Sequence, residues 1–211
     1  LASAMADAGN DVFFAVDHIT DDHGIALSND VKLVTLGGSH FMQLVKIARL
    51  LKDTQPDWIL SALASSNAKM SMAAVFAGMS KRHILSWHGF PQAEPSLISQ
   101  IGYAFLPLTA RLSAHQVCVS DALLAHMRKA GVPAHRSSRI YNPVDMAGLD
   151  APAERVRHND APVVLSAGRL APVKDFPTLV RAFAQLPHAG ARLIILGEGS
   201  ERKKIEAEAR S

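Results

Sequence analysis

An α/β fold with parallel sheets covered on both faces is predicted by three features of this chain. Eight short apolar segments alternate with seven stretches of helical periodicity, the pattern of strands joined by crossover helices. The strand segments are apolar runs bounded by turn residues, as expected of strands buried from both sides. A polar and proline-rich stretch, 142–162, separates two such patterns, which marks a domain boundary or hinge.

In chain order, residues 1–8 carry Leu1, Met5 and Ala8 at helical spacing, and the Gly9-Asn10 turn leads into a strand at 11–16. A strand at 31–35 precedes a helix at 40–53, in which Leu44, Ile47, Ala48 and Leu51 share one face. Pro56 blocks continuation before a strand at 58–62. Asn67 is expected to cap a helix over 67–78 that buries Met70, Ala74 and Ala77, with Ala73, Ala77 and Gly78 permitting close approach to the sheet. Strands follow at 83–87, 116–119 and 138–141, with helices at 96–113 and 121–130 between them. The second pattern has strands at 163–167 and 193–196 and helices at 175–186 and 201–210. The expected organisation is a domain over 1–142, a linker over 143–160 and a second domain over 161–211, of which two β-α units are present. A parallel sheet needs a strand before the first helix, and the last helix breaks off, so both ends are expected to be cut from a longer chain.

Composition narrows the function. The 211 residues are 48% hydrophobic, with a net charge of +3 and ten histidines. That charge is too small and too scattered for a nucleic-acid protein. The lone Cys118, inside the apolar run 117-VCVS-120, excludes an intrachain disulfide framework and is expected to be a buried thiol. There is no run of 18 apolar residues and no signal-peptide pattern at the start, which points to a cytoplasmic protein. Neither a G-x-S-x-G elbow nor the GK[ST] of a P-loop is present.

The segment 165-LSAGRLAPVKDFPTLVRAFAQL-186 carries the chemistry. Gly168 ends a strand, and Arg169 and Lys174 follow at the sheet edge where open α/β folds bind ligands. Arg169 can fork onto two phosphate oxygens and Lys174 can add a point charge. Asp175 is expected to cap the next helix, with Pro177 in its first turn. A phosphate site and a solvated basic loop both remain open on these residues alone. A second turn, 197-GEGSE-201, places Gly197, Glu198 and Gly199 after the next strand. The glycines would admit a nucleotide close to the backbone, or form a plain turn. Glu198 and Glu201 are expected to be solvated or capping.

His88 follows the strand 83–87, where its imidazole could serve as base or hydrogen-bond donor, or be a polar loop residue. Ser65, Ser66 and Asn67, and again Ser120 and Asp121, lie where strand ends meet helix starts, and Asn142 closes a strand before the hinge. Capping explains them as well as ligand contact does. The loop 17-DHITDDHG-24 gathers Asp17, His18, Asp21, Asp22 and His23, but without a metal-ligand spacing, and no metal is expected. The apolar segment 97–115 is expected to be a core helix kinked near Pro107, or to present Phe105, Leu106 and Leu108 to a membrane or lipid-linked acceptor.

Taken in order, 65-SSNAKMSMAA-74, 84-ILSWHGF-90, 117-VCVSDALLAHM-127, 139-RIYNPVD-145, 166-SAGRLAPVKDFPTLVRAFAQL-186 and 193-LIILGEGSER-202 resemble the group 1 glycosyltransferases, also called family 4. The resemblance covers nearly the whole chain. It implies a GT-B architecture: a Rossmann-like amino-terminal domain on the acceptor side and, here incomplete, a Rossmann-like carboxyl-terminal domain for the nucleotide-sugar. It implies that Arg169 and Lys174 bind the donor diphosphate, that His88 lies near the transferred sugar, and that Gly168, Gly197, Glu198 and Gly199 line the donor site. The implied activity is retaining transfer from a UDP-linked or similar sugar to a glycan or lipid-linked acceptor, without cofactor or metal. The glycine-rich turn before residue 1 and the paired-glutamate segment after Ser211 would be missing, so the 211 residues alone are expected to be nearly inactive and unstable. A sugar-nucleotide epimerase, a phosphorylase or a non-catalytic nucleotide-sugar or lipid-associated module are the alternatives on the same scaffold.

Overall fold

The computed structural model describes residues 1–19, 27–91, 97–144, 162–188 and 190–210. The chain divides into two compact units, Leu1–Pro143 and Val144–Ser211. The proposed linker, from Asp145 on, and Asp21, Asp22 and His23 lie outside the described residues.

The first unit contains α1 (Ala2–Asp7), β1 (Val12–Val16), β2 (Val31–Thr35), α2 (His40–Thr54), β3 (Ile59–Ala62), α3 (Ala64–Phe76), β4 (His83–Trp87), α4 (Leu97–Ala104), α5 (Leu106–Leu112), β5 (His115–Cys118), α6 (Asp121–Lys129) and β6 (Ser137–Arg139). The second contains β7 (Val163–Ala167), α7 (Phe176–Ala184), β8 (Arg192–Leu196) and α8 (Arg202–Glu208). Every described ladder is parallel: β1 pairs β2, β3 to β6 form a four-stranded sheet in chain order, and β7 pairs β8. This is the Rossmann-like α/β architecture the sequence predicts, fuller in the first unit.

Two apolar clusters fill the first unit. Leu36, Ile47, Leu51, Ile59, Ala73, Ala74 and Met79 gather under α2 and α3. Leu85, Trp87, Tyr103, Leu106, Ala110, Cys118, Leu123, Met127 and Val132 gather around β4 and β5. Ala73 and Ala74 are wholly buried, and their small side chains let α3 sit close against its neighbours. Gly102 does the same for α4: a β-carbon there would lie 2.9 Å from the Ala64 carbonyl oxygen. Cys118 is buried, and burial raises its thiol to a pKa of about 11, so it is an inert core residue.

Two local expectations need correction, and the kink expected near Pro107 is a full break into two helices, with Pro107 in the first turn of α5. A proline has no N–H to bond back into α4. Asn67 does not cap α3: the helix begins at Ala64, and Leu63 before it takes a positive φ of 71°. Asp175 occupies the cap position of α7, but at φ 45°, ψ 45° its carboxylate makes no capping bond. Ser120, by contrast, caps α6, its Oγ accepting from the Leu123 N–H at 3.2 Å.

Asn67 is instead the centre of a buried polar line. Its Nδ2 donates to the Ser86 carbonyl at 2.9 Å, so its Oδ1 is the acceptor for the Ser61 hydroxyl at 2.6 Å. With that proton committed, Ser61 Oγ can only accept from His83 Nε2, 2.7 Å away. His83 is therefore the neutral Nε2–H tautomer, and burial lowers its pKa to about 4. The line ties β3, α3 and β4 together.

A group whose folded pKa falls from about 6.5 to about 4 is protonated first in the unfolded chain. The first unit is thus expected to keep its full stability above about pH 6.5 and to lose about 3 kcal/mol as the pH falls to about 4. Urea unfolding across that range should show the slope for the wild type and a smaller one for His83→Gln.

Candidate functional site

In the second unit the two glycine turns interlock. The N–H of Gly168 bonds to the Leu196 carbonyl at 2.9 Å, that of Leu170 to the Glu198 carbonyl at 2.8 Å, and that of Glu201 to the Leu170 carbonyl at 3.0 Å. Backbone meets backbone so closely that a β-carbon at Gly197 would lie 2.0 Å from the Gly168 oxygen, and one at Gly199 would lie 2.3 Å from the Leu170 oxygen. Both glycines also hold positive φ, 149° and 156°. Their need for glycine is accounted for by the chain's own contact, on the side where a side chain would project.

That contact presents Arg169 on the outside of the turn. Leu170 beside it points inward to Phe176, Val180 and Ile205. A 3₁₀ turn over Pro172–Lys174 then brings the chain back, so that Lys174 Cε lies 4.0 Å from where a β-carbon on Gly168 would be. Arg169 and Lys174 are both exposed, and neither meets a carboxylate among the described residues. Gly168, Arg169 and Lys174 thus gather at the carboxyl end of β7, just before α7. Two exposed cations without a carboxylate partner among the described residues therefore stand side by side at this strand end.

Glu198 and Glu201 stand apart from this charge. Glu198 pairs with Arg202, which also holds Glu206 at 2.9 Å, and Glu201 pairs with Lys204 at 2.9 Å. Both precede α8 and have partners on it: Glu198 is exposed in the turn, and Glu201, at the cap position of α8, is half-buried.

In the first unit, His88 is exposed just past β4, its Nε2 3.0 Å from Ser86 Oγ. The strand end it follows is pinned on both sides. Asn67 holds the Ser86 carbonyl, and the Tyr103 hydroxyl on α4 donates to the Gly89 carbonyl at 2.5 Å. The Tyr103 ring packs on Trp87 with centroids 4.9 Å apart, and Trp87 Nε1 donates to the buried Gln116 Oε1 at 2.6 Å. Phe90 closes the turn edge-on against His126. A buried scaffold therefore carries an exposed imidazole.

A second polar cluster at this unit's strand ends escaped the sequence reading. Lys69 of α3 is almost wholly buried; its ammonium donates to both Asp17 oxygens, at 2.7 and 2.6 Å, and to Gln43 Oε1 at 2.8 Å. The available signal was a single charged residue in the otherwise uncharged helix 64–76. Asp17, considered above with the acidic and histidine-rich loop, has this ammonium as its counter-charge. No group of three potential metal ligands forms among the described residues. Ser65 and Ser66 lie in the first turn of α3. Asn142 is exposed and does not close a strand, since β6 ends at Arg139.

The sequence matches two family models: Glycosyltransferase Family 4 over residues 1–147, and Glycosyl transferases group 1 over residues 150–211. A lipopolysaccharide core biosynthesis glycosyltransferase, LpsE of Rhizobium meliloti, is 48% identical over 62 residues, which is 29% of this chain and 16% of that protein. Among solved structures, Anabaena HepE in complex with UDP and glucose superposes with a TM-score of 0.70 at 19% identity, over 94% of this chain and 57% of that one. The lipopolysaccharide outer core galactosyltransferase WaaB gives a TM-score of 0.60 at 20% identity, over 90% and 52%. The chain spans a little over half the length of these structures.

Two substitutions test the scaffolds directly. Gly197→Ala would force the interlocked turns apart and should destabilise the second unit by about 3 kcal/mol or more while sparing the first, as read by hydrogen exchange of β7 and β8. Tyr103→Phe leaves the Gly89 carbonyl without its donor, which should cost about 1–2 kcal/mol and speed amide exchange over residues 88–90.

Proposed function

The chain belongs to Glycosyltransferase Family 4, and from that membership we propose that it is part of a retaining glycosyltransferase that takes a sugar from a UDP-linked donor to a glycan or lipid-linked acceptor. The observation that carries this reading is the exposed pair Arg169 and Lys174 at the carboxyl end of β7, with no carboxylate partner among the described residues. The HepE structure, with UDP and glucose bound, supports a uridine diphosphate as the group such an edge receives. The LpsE match supports a surface-glycan acceptor, and peripheral attachment at the inner face of a membrane belongs to the same proposal. Among the described residues no helix is long and apolar enough to cross a membrane.

The chemistry asked of the pair is electrostatic. The bond from the anomeric carbon to the β-phosphate oxygen breaks, and an acceptor hydroxyl oxygen bonds to that carbon on the same face. The hydroxyl proton passes to the departing phosphate. Negative charge grows on the diphosphate as the bond opens. Fixed cations there stabilise the transition state more than the bound donor. His88 would hydrogen-bond the sugar being moved, from the scaffold of Ser86, Asn67 and Tyr103. Glu198, Gly197 and Gly199 would form the backbone wall on the nucleotide side. No metal or protein nucleophile is assigned.

In the full-length enzyme, Arg169→Ala and Lys174→Ala should each lower kcat by about 100- to 1000-fold, with a smaller rise in donor KM. Arg169→Lys should recover part of the loss. Product mass from a panel of nucleotide-sugars measures this; unchanged turnover in both alanine variants would refute the reading.

A further inference from the structure

His83 and His88 stand at opposite ends of β4, and each meets a serine hydroxyl. The two pairs differ in where the serine proton goes. Ser61 gives its proton to Asn67 Oδ1 at 2.6 Å, so it can only accept from His83 Nε2. Ser86 Oγ lies 3.0 Å from His88 Nε2, and its proton has no other acceptor among the described residues.

Strand geometry brings the second pair together. Side chains two residues apart along a strand stand on the same side, here the side opposite buried Leu85 and Trp87. The backbone beneath is held at three successive points. Asn67 Nδ2 donates to the Ser86 carbonyl at 2.9 Å, the Val119 N–H to the Trp87 carbonyl at 3.3 Å, and the Tyr103 hydroxyl to the Gly89 carbonyl at 2.5 Å. With the main chain fixed, the freedom left to His88 is rotation of its exposed side chain, and the bond to Ser86 restrains it.

Two protonation patterns fit that bond. If Nε2–H donates to Ser86 Oγ, the hydroxyl proton is left without a described acceptor. If the hydroxyl donates to the Nε2 lone pair, the ring proton sits on Nδ1. The second pattern sets the hydroxyl against the better acceptor, because a neutral imidazole nitrogen is a stronger base than a hydroxyl oxygen. The Ser61–His83 pair is denied it only because Asn67 has taken the Ser61 proton.

We propose that Ser86 is a positioning residue whose hydroxyl holds His88 as the Nδ1–H tautomer, so that the outward nitrogen meets a ligand as a hydrogen-bond donor and not as a base. The nitrogen that is hydrogen-bonded behind the ring decides the role of the one in front. An outward N–H matches a lone pair on a sugar hydroxyl and has none of its own with which to take a proton. This agrees with the acceptor's proton passing to the departing phosphate. The inference rests on the proposed function for the ligand, the sugar being transferred, while the tautomer itself is measured without substrate.

The test is nitrogen NMR of the full-length protein with isotope-labelled histidine, at about pH 8.5, where ordinary imidazoles are neutral. The His88 signals are those lost in His88→Gln. The wild type should carry its proton on Nδ1. Ser86→Ala should move the proton to Nε2 in a large share of molecules, and Ser86→Thr, which keeps a hydroxyl, should retain the wild-type pattern. In turnover, Ser86→Ala should lower kcat about tenfold with the donor KM nearly unchanged, and Ser86→Thr should recover most of that loss, with unfolding curves confirming that both variants are folded. A proton on Nε2 in the wild type, an unchanged tautomer in Ser86→Ala, or an equal loss of kcat in Ser86→Thr would each overturn the proposal. Failure of the transferase reading shows elsewhere, as unchanged turnover in Arg169→Ala and Lys174→Ala, and leaves the tautomer where it is.

Discussion

The placing of Arg169 and Lys174 depends on one contact, the seating of the Gly168–Leu170 backbone in the 197–199 turn. Hydrogen bonds alone would permit other residues there. The distances would not: with backbone oxygens 2.0 and 2.3 Å from the β-carbon positions of Gly197 and Gly199, any side chain at either would collide with main chain, which cannot swing aside as a side chain can. The contact anchors Leu170 in the core and leaves Arg169 no direction but outward. The following 3₁₀ turn returns Lys174 alongside. A cation pair whose position comes from backbone packing is preorganised, and such groups need little rearrangement when charge develops on a ligand.

The first unit reaches the same end by different means. Its loops are positioned by buried polar side chains rather than by interlocked turns. Asn67 and Tyr103 each hold a carbonyl flanking His88, and Lys69 joins Asp17 and Gln43 across three elements. Each of these groups is expensive to bury alone and is satisfied by the others. The buried lysine meets a half-exposed carboxylate, so the pair stays connected to solvent on one side. Polar interiors of this kind sit at the strand ends, where the structure has most need of directional bonds, while the two apolar clusters supply the non-directional burial beneath.

Much of this was legible in the sequence, because its physical cause is local. The alternation of apolar runs with helical periodicity identified the eight strands of the described residues and the parallel α/β class. Pro107 announced the break in its helix, Ser120 was one of the residues with a capping explanation, and Cys118 stood in an apolar run. The Gly168, Arg169 and Lys174 cluster could be found because a strand, a turn and a helix start lie next to one another along the chain. The failures share a cause too. Asn67 and Asp175 were expected to cap helices, and the alternative that set Leu106 with Phe105 and Leu108 on a presented surface fails because Leu106 is 2% exposed while the other two are exposed, since helix registers at ends and breaks shift by a residue or more with tertiary packing.

By itself, then, the sequence determined which segments become strands and helices and where the cations fall along the chain, since periodicity and turn chemistry are short-range properties. Only the tertiary structure decided that Gly197 and Gly199 are required by the chain's own backbone, that Lys69 is buried against Asp17, and that His83, Ser61, Asn67 and Tyr103 support the strand end bearing His88. Those facts join residues up to 52 positions apart, and no pattern in neighbouring residues encodes which distant groups will meet once the helices have packed.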